Sequence, residues 1–152
     1  CDRTTAVPRT AILATLLATL AAGFACAQDL SGSWRFERMS RRGAHVGTLV
    51  IDRSGEVRLR ARSPLQVYSQ CGEVRQEGKG TEVVFTSVRS TLGYSLDHFY
   101  CTRRGVDALE CYNIDGNGRE KDLFTVSRTG GVPDTPAERL EGVCPPPETP
   151  RS

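Results

Sequence analysis

A series of short hydrophobic segments separated by turn sequences most restricts the fold of this chain. Residues 56–63 show the pattern, because Val57, Leu59 and Ala61 alternate with arginines. Strict alternation with a period of two is typical of a β-strand with one buried and one solvated face. Seven further segments of this kind lie between residues 31 and 128, most of them bounded by Gly- or Asp-rich turns. This spacing favours an all-β barrel or sandwich of sequential hairpins, and we predict a small antiparallel up-and-down β-barrel of about eight strands.

A basic and then apolar leader precedes the first of these segments. Arg3 and Arg9 are followed by fifteen uncharged, mostly apolar residues at positions 11–25. A helix that crosses a bilayer needs about 20 apolar residues, so this run is short for a membrane anchor. A basic start, a short apolar core and small residues at its end indicate a secretory signal peptide, which we assign to residues 1–27.

Two processing sites compete at the end of the leader. Ala25-Cys26-Ala27 offers the small residues that signal peptidase requires, and cleavage there starts the mature domain at Gln28. Lipidation of Cys26 is the alternative, but Gly23 and Phe24 fit its motif poorly. We therefore expect a β-barrel domain over 28–129 with no stable membrane anchor after cleavage.

The charge balance gives no indication of a polyanionic partner. Cleavage removes Arg3, Arg9 and Asp2 from 20 basic and 18 acidic residues, which leaves a net charge of +1. Such a balance predicts no nucleic-acid partner and no adhesion to an anionic membrane. Lysine is scarce beside arginine, which is typical of a GC-rich bacterial genome and favours a periplasmic or secreted product.

Four cysteines remain after cleavage, and their even number in a small exported chain predicts two disulfides. No pair has the C-x-x-C spacing of a metal site, and we predict no metal centre. Cys101 and Cys111 flank a proposed turn at 104–107, so a cross-strand bridge fits there and leaves Cys71 for Cys144. Three connectivities are open, and this one is favoured.

Residues 130–152 differ in composition from the strands. This segment holds six of the eight prolines, which lack the backbone donor that a sheet requires. We predict a Pro-rich tail that Cys144 attaches to the domain.

The first strand segment carries a family resemblance. DLSGSWRF (29–36) contains Gly32-Ser33-Trp34 and resembles the Gly-x-Trp opening of calycin barrels such as avidins and lipocalins. Residues 110–128 are similar to the closing hairpin of avidin-like chains. The resemblance implies a barrel in which Trp34 plugs one end. The same opening is similar to bacterial metalloprotease inhibitors, which are also exported eight-stranded barrels.

The chain also departs from these families. Avidin-type biotin pockets have several tryptophans, whereas Trp34 is the only one here, so we carry over no ligand residues. The inhibitors insert an N-terminal trunk into their enzyme, but only six residues precede Trp34 after cleavage at Ala27.

Three sequence features suggest sites, and each has a simpler interpretation. Arg58, Arg60 and Arg62 form a basic strand face that could bind an anion but is also typical of a solvated face. The segment 113–118 resembles half of an EF-hand loop, yet Phe124 replaces the required carboxylate, so a hairpin turn is favoured. His98 follows Asp97 directly, and adjacent strand residues face opposite ways, so we predict no catalytic residues, no cofactor and no enzyme.

Two functions of different classes fit the sequence. The first is a carrier of a small apolar or amphipathic ligand in the barrel mouth. The second is a protein-binding module, such as a hydrolase inhibitor or a partner of an envelope protein, that acts through loops, the arginine face or the tail. The aromatic residues that we predict to line the carrier's pocket are Tyr68, Phe85, Tyr94, Phe99 and Tyr112.

Overall fold

The computed structural model describes residues 29–78, 80–114 and 120–144. The predicted signal peptide and the end of the Pro-rich tail lie outside these residues. Within them the chain forms eight β-strands and no helix. The strands are β1 (Gly32–Ser40), β2 (Gly43–Ile51), β3 (Glu56–Arg62), β4 (Val67–Glu77), β5 (Gly80–Ser90), β6 (His98–Arg103), β7 (Ala108–Ile114) and β8 (Glu120–Gly130).

The eight strands close into an antiparallel up-and-down barrel. Each strand pairs with the next one in the sequence, and β8 returns to pair with β1 from Ser33↔Gly130 to Glu37↔Thr125. The predicted fold class is therefore confirmed. Among the residues that the structure describes, no helix is long and apolar enough to cross a membrane.

Two connections between strands are held by local hydrogen bonds. Residues 63–66 form a tight turn in which the amide of Ser63 donates to the carbonyl oxygen of Gln66 at 2.8 Å. Residues 94–97 belong to a loop, because polar side chains inside the barrel hold Tyr94 and Asp97 there instead of a strand ladder. Local side-chain bonds of this kind compete with strand pairing.

One end of the barrel is closed around Trp34, and we call it the Trp end. It contains the start of β1, the turns 52–55 and 104–107, and the end of β8. Trp34 is fully buried, and its Nε1 donates to the carbonyl oxygen of Leu30 at 2.9 Å. The guanidinium carbon of Arg128 lies 4.3 Å from the centre of the indole ring. Trp34 thus lies at one end of the barrel, where the sequence resemblance puts a plug.

Apolar side chains fill the half of the barrel nearest the Trp end. Phe99 lies at their centre, with its ring centroid 5.2 Å from that of Phe85 and 5.0 Å from that of Phe124. Rings in these tilted or perpendicular arrangements pack favourably. The other buried members of this core include Phe36, Leu49, Ile51, Val57, Leu59, Ala61, Val83, Leu109 and Val126.

Two disulfides join the pairs that the sequence favours. Cys101–Cys111 links directly opposed residues of β6 and β7 inside the barrel, with 4.1 Å between their Cα atoms. Cys71–Cys144 joins the outer face of β4 to the tail across 73 residues. Such bridges indicate an oxidising, extracellular-type compartment.

The tail lies against the outer face of the barrel. Nη1 of Arg58 donates to the carbonyl oxygen of Arg139 at 3.5 Å, close to the Cys71–Cys144 bridge. Val50, the partner of Arg58 across the β2–β3 ladder, is fully buried even though it faces outward.

The predicted arginine face is consequently divided. Arg58 is largely covered and lies 2.9 Å from a carboxylate oxygen of Glu56, whereas Arg60 and Arg62 are exposed. A continuous stripe of three free guanidinium groups is therefore not present.

Candidate functional site

The opposite end of the barrel, which we call the loop end, is closed by polar groups. The structure describes three of its connections, at residues 41–42, 63–66 and 91–97, whereas residues 115–119 lie outside the described part. Beneath these loops a set of polar side chains occupies the barrel interior. We call them the polar cluster; its members are Arg38, His45, Tyr68, Gln70, Tyr94, Asp97, Asn113 and Asp122.

Strand alternation places these polar side chains inside the barrel. In β1, Trp34, Phe36 and Arg38 all face inward, whereas Met39 is 64% exposed on the outer face. Gln70 and Asn113 also face inward, because directly opposed residues of paired strands lie on the same face of the sheet. Gln70 lies opposite the buried Leu59, and Asn113 lies opposite the buried Phe99.

Asp97 lies at the centre of the cluster. Its Oδ1 accepts hydrogen bonds from Nδ2 of Asn113 at 2.8 Å and from Nη1 of Arg38 at 3.3 Å. Its Oδ2 accepts one from Nε2 of Gln70 at 2.6 Å, and the amide of Asp97 donates back to Oε1 of Gln70 at 2.9 Å. Donors from β1, β4 and β7 therefore converge on one carboxylate, as a buried charge requires.

Arg38 supplies the positive charge of the cluster. Burial alone would lower the pKa of its guanidinium, but the carboxylates of Asp97 and Asp122 raise it overall, so the group is always charged. Its Nη1 lies 3.5 Å from Asp122 and its Nη2 donates to the hydroxyl of Tyr94 at 2.7 Å. Nε of Arg38 is buried without a hydrogen-bond partner among the described residues.

An aromatic and imidazole layer lies between the ion pair and the loops. The rings of Tyr68 and Tyr94 stack with centroids 3.9 Å apart. Nδ1 of His45 lies 3.0 Å from the Tyr68 hydroxyl, and its Nε2 lies 3.1 Å from Oγ of Ser40. Burial, together with the charge of Arg38, lowers the pKa of His45 below 6.5, so the imidazole is neutral near pH 7. Burial also raises the pKa of both tyrosines, which remain protonated.

The loop 91–97 carries Tyr94 and Asp97 across the mouth. β5 and β6 pair only from Thr81↔Cys101 to Val84↔His98, so the last residues of β5 have no ladder with β6. The side chain of Gln66 binds the loop from the neighbouring turn, because it donates to the carbonyl oxygen of Gly93 and accepts from the amide of Leu92, both at 3.0 Å. Side-chain bonds rather than a strand ladder therefore hold this loop.

Exposed hydrophobic side chains surround the loop end. Seven large hydrophobic side chains are exposed among the described residues. One of them, Val106, lies in a turn at the Trp end. The remaining six lie in the loops of the loop end or on the outer face of the adjoining strands. We call them the apolar rim; they are Met39, Leu65, Val67, Leu92, Leu96 and Leu123.

The described loops at this end carry positive charge. Arg41 and Arg42 are exposed in the β1–β2 turn, and Arg62 and Arg89 are exposed on the outer faces of adjoining strands. The described loops hold no exposed carboxylate, because Asp97 is buried.

Four of the predicted pocket aromatics lie inside the barrel, but they fill it. Phe85 and Phe99 belong to the apolar core, and Tyr68 and Tyr94 belong to the polar cluster. The prediction for Tyr112 is wrong. It alternates with the inward-facing Cys111 and Asn113 and therefore lies on the outer face, stacked on Tyr100 with centroids 5.3 Å apart.

A shallow groove of about 150 Å³ lies beside these outer tyrosines. His98 stacks on Tyr100 at its edge, and Nε2 of His98 lies 3.5 Å from a carboxylate oxygen of Glu82. The groove is lined by Gly80, Thr81, Glu82, Tyr100, Cys101, Thr102 and Tyr112. Several of its lining residues, such as Tyr100 and Tyr112, project from the outer surface of the sheet.

The sequence interpretation missed the polar cluster. Period two from Trp34 and Phe36 points to Arg38 as an inward residue, but arginine side chains are rarely found on a buried face. Asn113 opens the segment 113–118 that resembles half of an EF-hand loop, and that resemblance gives no indication that its side chain binds Asp97 from β7. Within the described residues, no group of three or more His, Cys, Asp or Glu side chains is placed to hold a metal ion.

Comparisons with known proteins show similarity of fold. No family model and no curated protein matches the sequence. A redesigned beta barrel is similar in structure at 18% identity and a TM-score of 0.52, covering 66% of this chain and 91% of that one. A de novo designed fluorescence-activating beta barrel is 20% identical with a TM-score of 0.47, covering 68% of this chain and 96% of that one. The small β-barrel fold is thus shared with the redesigned barrel, whereas a calycin or metalloprotease-inhibitor relationship is not established.

Proposed function

We propose that this chain is a non-catalytic, exported binding protein that docks a partner protein of the cell envelope through its loop end. The observation that carries the proposal is the apolar rim, where Met39, Leu65 and Leu92 are each more than half exposed. Isolated surface hydrophobics are ordinary, but their concentration at one end of a small protein is typical of an interaction site.

The charges beside the rim indicate the kind of partner. Arg41 and Arg42 project from the same end as the exposed leucines, and the described loops there offer no exposed carboxylate. Arginine and apolar groups are enriched in protein interfaces, and a partner with the complementary surface has an apolar patch bordered by Asp or Glu.

A carrier of an apolar ligand has less support. The aromatic residues proposed for its pocket are packed against one another, and Cys101–Cys111 crosses the same space. A ligand in the mouth must therefore displace the loop 91–97 or part of the polar cluster.

The experiment uses matched substitutions at the two ends of the barrel. Immobilised wild-type protein, Leu65→Ser/Leu92→Ser and Val106→Ser are incubated with envelope extract from the native host, and retained proteins are identified by mass spectrometry. Because interface anchors contribute about 2 kcal/mol or more, we expect the double variant to retain the partner at least about tenfold less.

Val106→Ser is the control, since Val106 is 73% exposed at the Trp end. It should retain the partner as well as wild type does. Equal retention by all three proteins, or recovery of the free protein alone under gentle conditions, contradicts the proposal.

A further inference from the structure

The carboxylate of Asp97 occupies a binding site built by other parts of the chain. Arg38 of β1, Gln70 of β4 and Asn113 of β7 each donate to it, at distances between 2.6 and 3.3 Å. All three donors are at least 95% buried, so they are aimed at the carboxylate in a space from which bulk water is excluded. Strong recognition of a carboxylate depends on such charge-assisted donors, held in place before the anion arrives.

The strands that carry the three donors are paired without any contribution from the loop 91–97. Arg38 lies opposite His45 in the β1–β2 ladder, and Gln70 is paired on both sides with β3 and β5. Asn113 lies between β6 and β8. The scaffold of the site is therefore the closed sheet itself, whereas the carboxylate belongs to the connection between β5 and β6.

That connection can leave the mouth without breaking a strand ladder. No backbone pairing joins β5 and β6 beyond Val84↔His98. The loop is held by side-chain contacts: the bonds of Gln66 and Asp97, the hydrogen bond from Arg38 to the Tyr94 hydroxyl, and the stacking of Tyr94 on Tyr68. Two of its side chains, Leu92 and Leu96, are already exposed. Segments with few buried apolar contacts open locally at a lower free-energy cost than the core does.

Charge and hydrogen-bond balance favour a single carboxylate in the vacated site. Withdrawal of Asp97 leaves Asp122, at 3.5 Å, as the one carboxylate that faces the guanidinium of Arg38 among the described residues. An incoming carboxylate replaces the negative charge of Asp97 and accepts hydrogen bonds from the side-chain amides of Gln70 and Asn113. Nε of Arg38, which has no partner among the described residues, provides a further donor.

We propose that Arg38, Gln70 and Asn113 form a carboxylate-binding site within the barrel. Asp97 occupies the site while the loop is closed, and a carboxylate-bearing small molecule takes its place when the loop opens. This site is distinct from the apolar rim, and its occupancy does not require a partner protein.

The first test removes the internal carboxylate and supplies an external one. The Asp97→Ala protein is unfolded with urea in sodium formate and in sodium chloride of equal ionic strength. If formate binds with a Kd of about 50 mM, then about 0.5 M formate lowers the unfolding equilibrium constant about tenfold. Wild type, whose site is filled, should show little specific response to formate.

Two controls separate site binding from a general salt effect. Arg38→Met/Asp97→Ala lacks the cation of the site and should lose the response. Asp107→Ala removes an exposed carboxylate near Arg128 at the Trp end and should behave like wild type. An equal formate effect in all proteins, or none in Asp97→Ala, overturns the proposal.

A second test uses the wild-type chain, so it tests the carboxylate site even if Asp97→Ala does not fold. Hydrogen exchange of the amides in 91–97 is measured by NMR in formate and in chloride of equal ionic strength. Because formate competes with Asp97, exchange of the loop amides should accelerate severalfold while the amide of Leu59, in a central ladder, stays unchanged. Loop exchange that is insensitive to formate overturns the proposal.

Discussion

The two ends of this barrel are closed by different chemistry. At the Trp end, the buried indole of Trp34 packs under Leu30, and Arg128 lies over its ring with its charge near the surface. At the loop end, an ion pair between Arg38 and Asp97 is buried inside the barrel. The side-chain amides of Gln70 and Asn113 donate hydrogen bonds to its carboxylate. One closed sheet can thus be sealed by apolar packing at one end and by a polar network at the other, with different consequences for stability and exchange.

The difference follows from the free energy of desolvation. Burial of an indole gains hydrophobic free energy, and its single donor is satisfied by one backbone carbonyl. Burial of a guanidinium and a carboxylate costs several kcal/mol per ion, which their attraction and hydrogen bonds roughly offset. The loop end is therefore specific in geometry but contributes less net stability than its number of bonds suggests.

The largest effect is expected from Arg38→Met. The substitution leaves the Asp97 carboxylate buried without its cation, so we expect a loss of about 3–5 kcal/mol in the free energy of unfolding. Urea unfolding measures it. Arg38→Met/Asp97→Asn removes the unpaired charge and should recover part of the loss, whereas a double variant no more stable than the single one would contradict a polar closure of this end.

The next effect concerns the tail disulfide. Cys71→Ser/Cys144→Ser opens a link across 73 residues, and we expect a loss of about 2–4 kcal/mol. Because this bridge lies on the outer face of β4, amide exchange in the loop 91–97 should change little. Faster exchange in that loop would show that the tail supports both ends of the barrel.

A smaller effect is expected from protonation of His45. Its folded-state pKa lies below 6.5, so below about pH 6.5 the unfolded chain binds more protons at this residue than the folded chain. Stability should therefore fall as the pH decreases from 7 to 5. His45→Gln removes this dependence while His98 stays in both proteins, so equal pH profiles for the two would be evidence against the assignment.

The smallest effects are expected from the exposed hydrophobics. Leu92→Ser at the loop end and Val106→Ser at the Trp end both alter side chains that are about 70% exposed. Each should change the free energy of unfolding by less than about 0.5 kcal/mol. A larger loss in Leu92→Ser would mean that the rim supports the fold, which would weaken its assignment as a docking surface.

The sequence predicts the barrel fold but not the polar cluster. Alternation in residues such as Val57, Leu59 and Ala61 reports burial directly, and the turn at 104–107 placed Cys101 opposite Cys111. The same reasoning failed for Arg38 and Asn113, because a polar residue on the inner face breaks the pattern that identifies that face. Asp97 lies in a loop, where no periodicity indicates orientation, and its partners come from strands distant in sequence.

The Cys71–Cys144 bridge has a consequence for proteolysis of the tail. A protease that cuts a peptide bond between residues 131 and 143 does not release the C-terminal fragment, since the sulfur–sulfur bond still attaches it to β4. Such a cleaved molecule gains the mass of one water and separates into two pieces only after reduction. The barrel can thus keep its outer covering after the covalent path along the backbone has been broken.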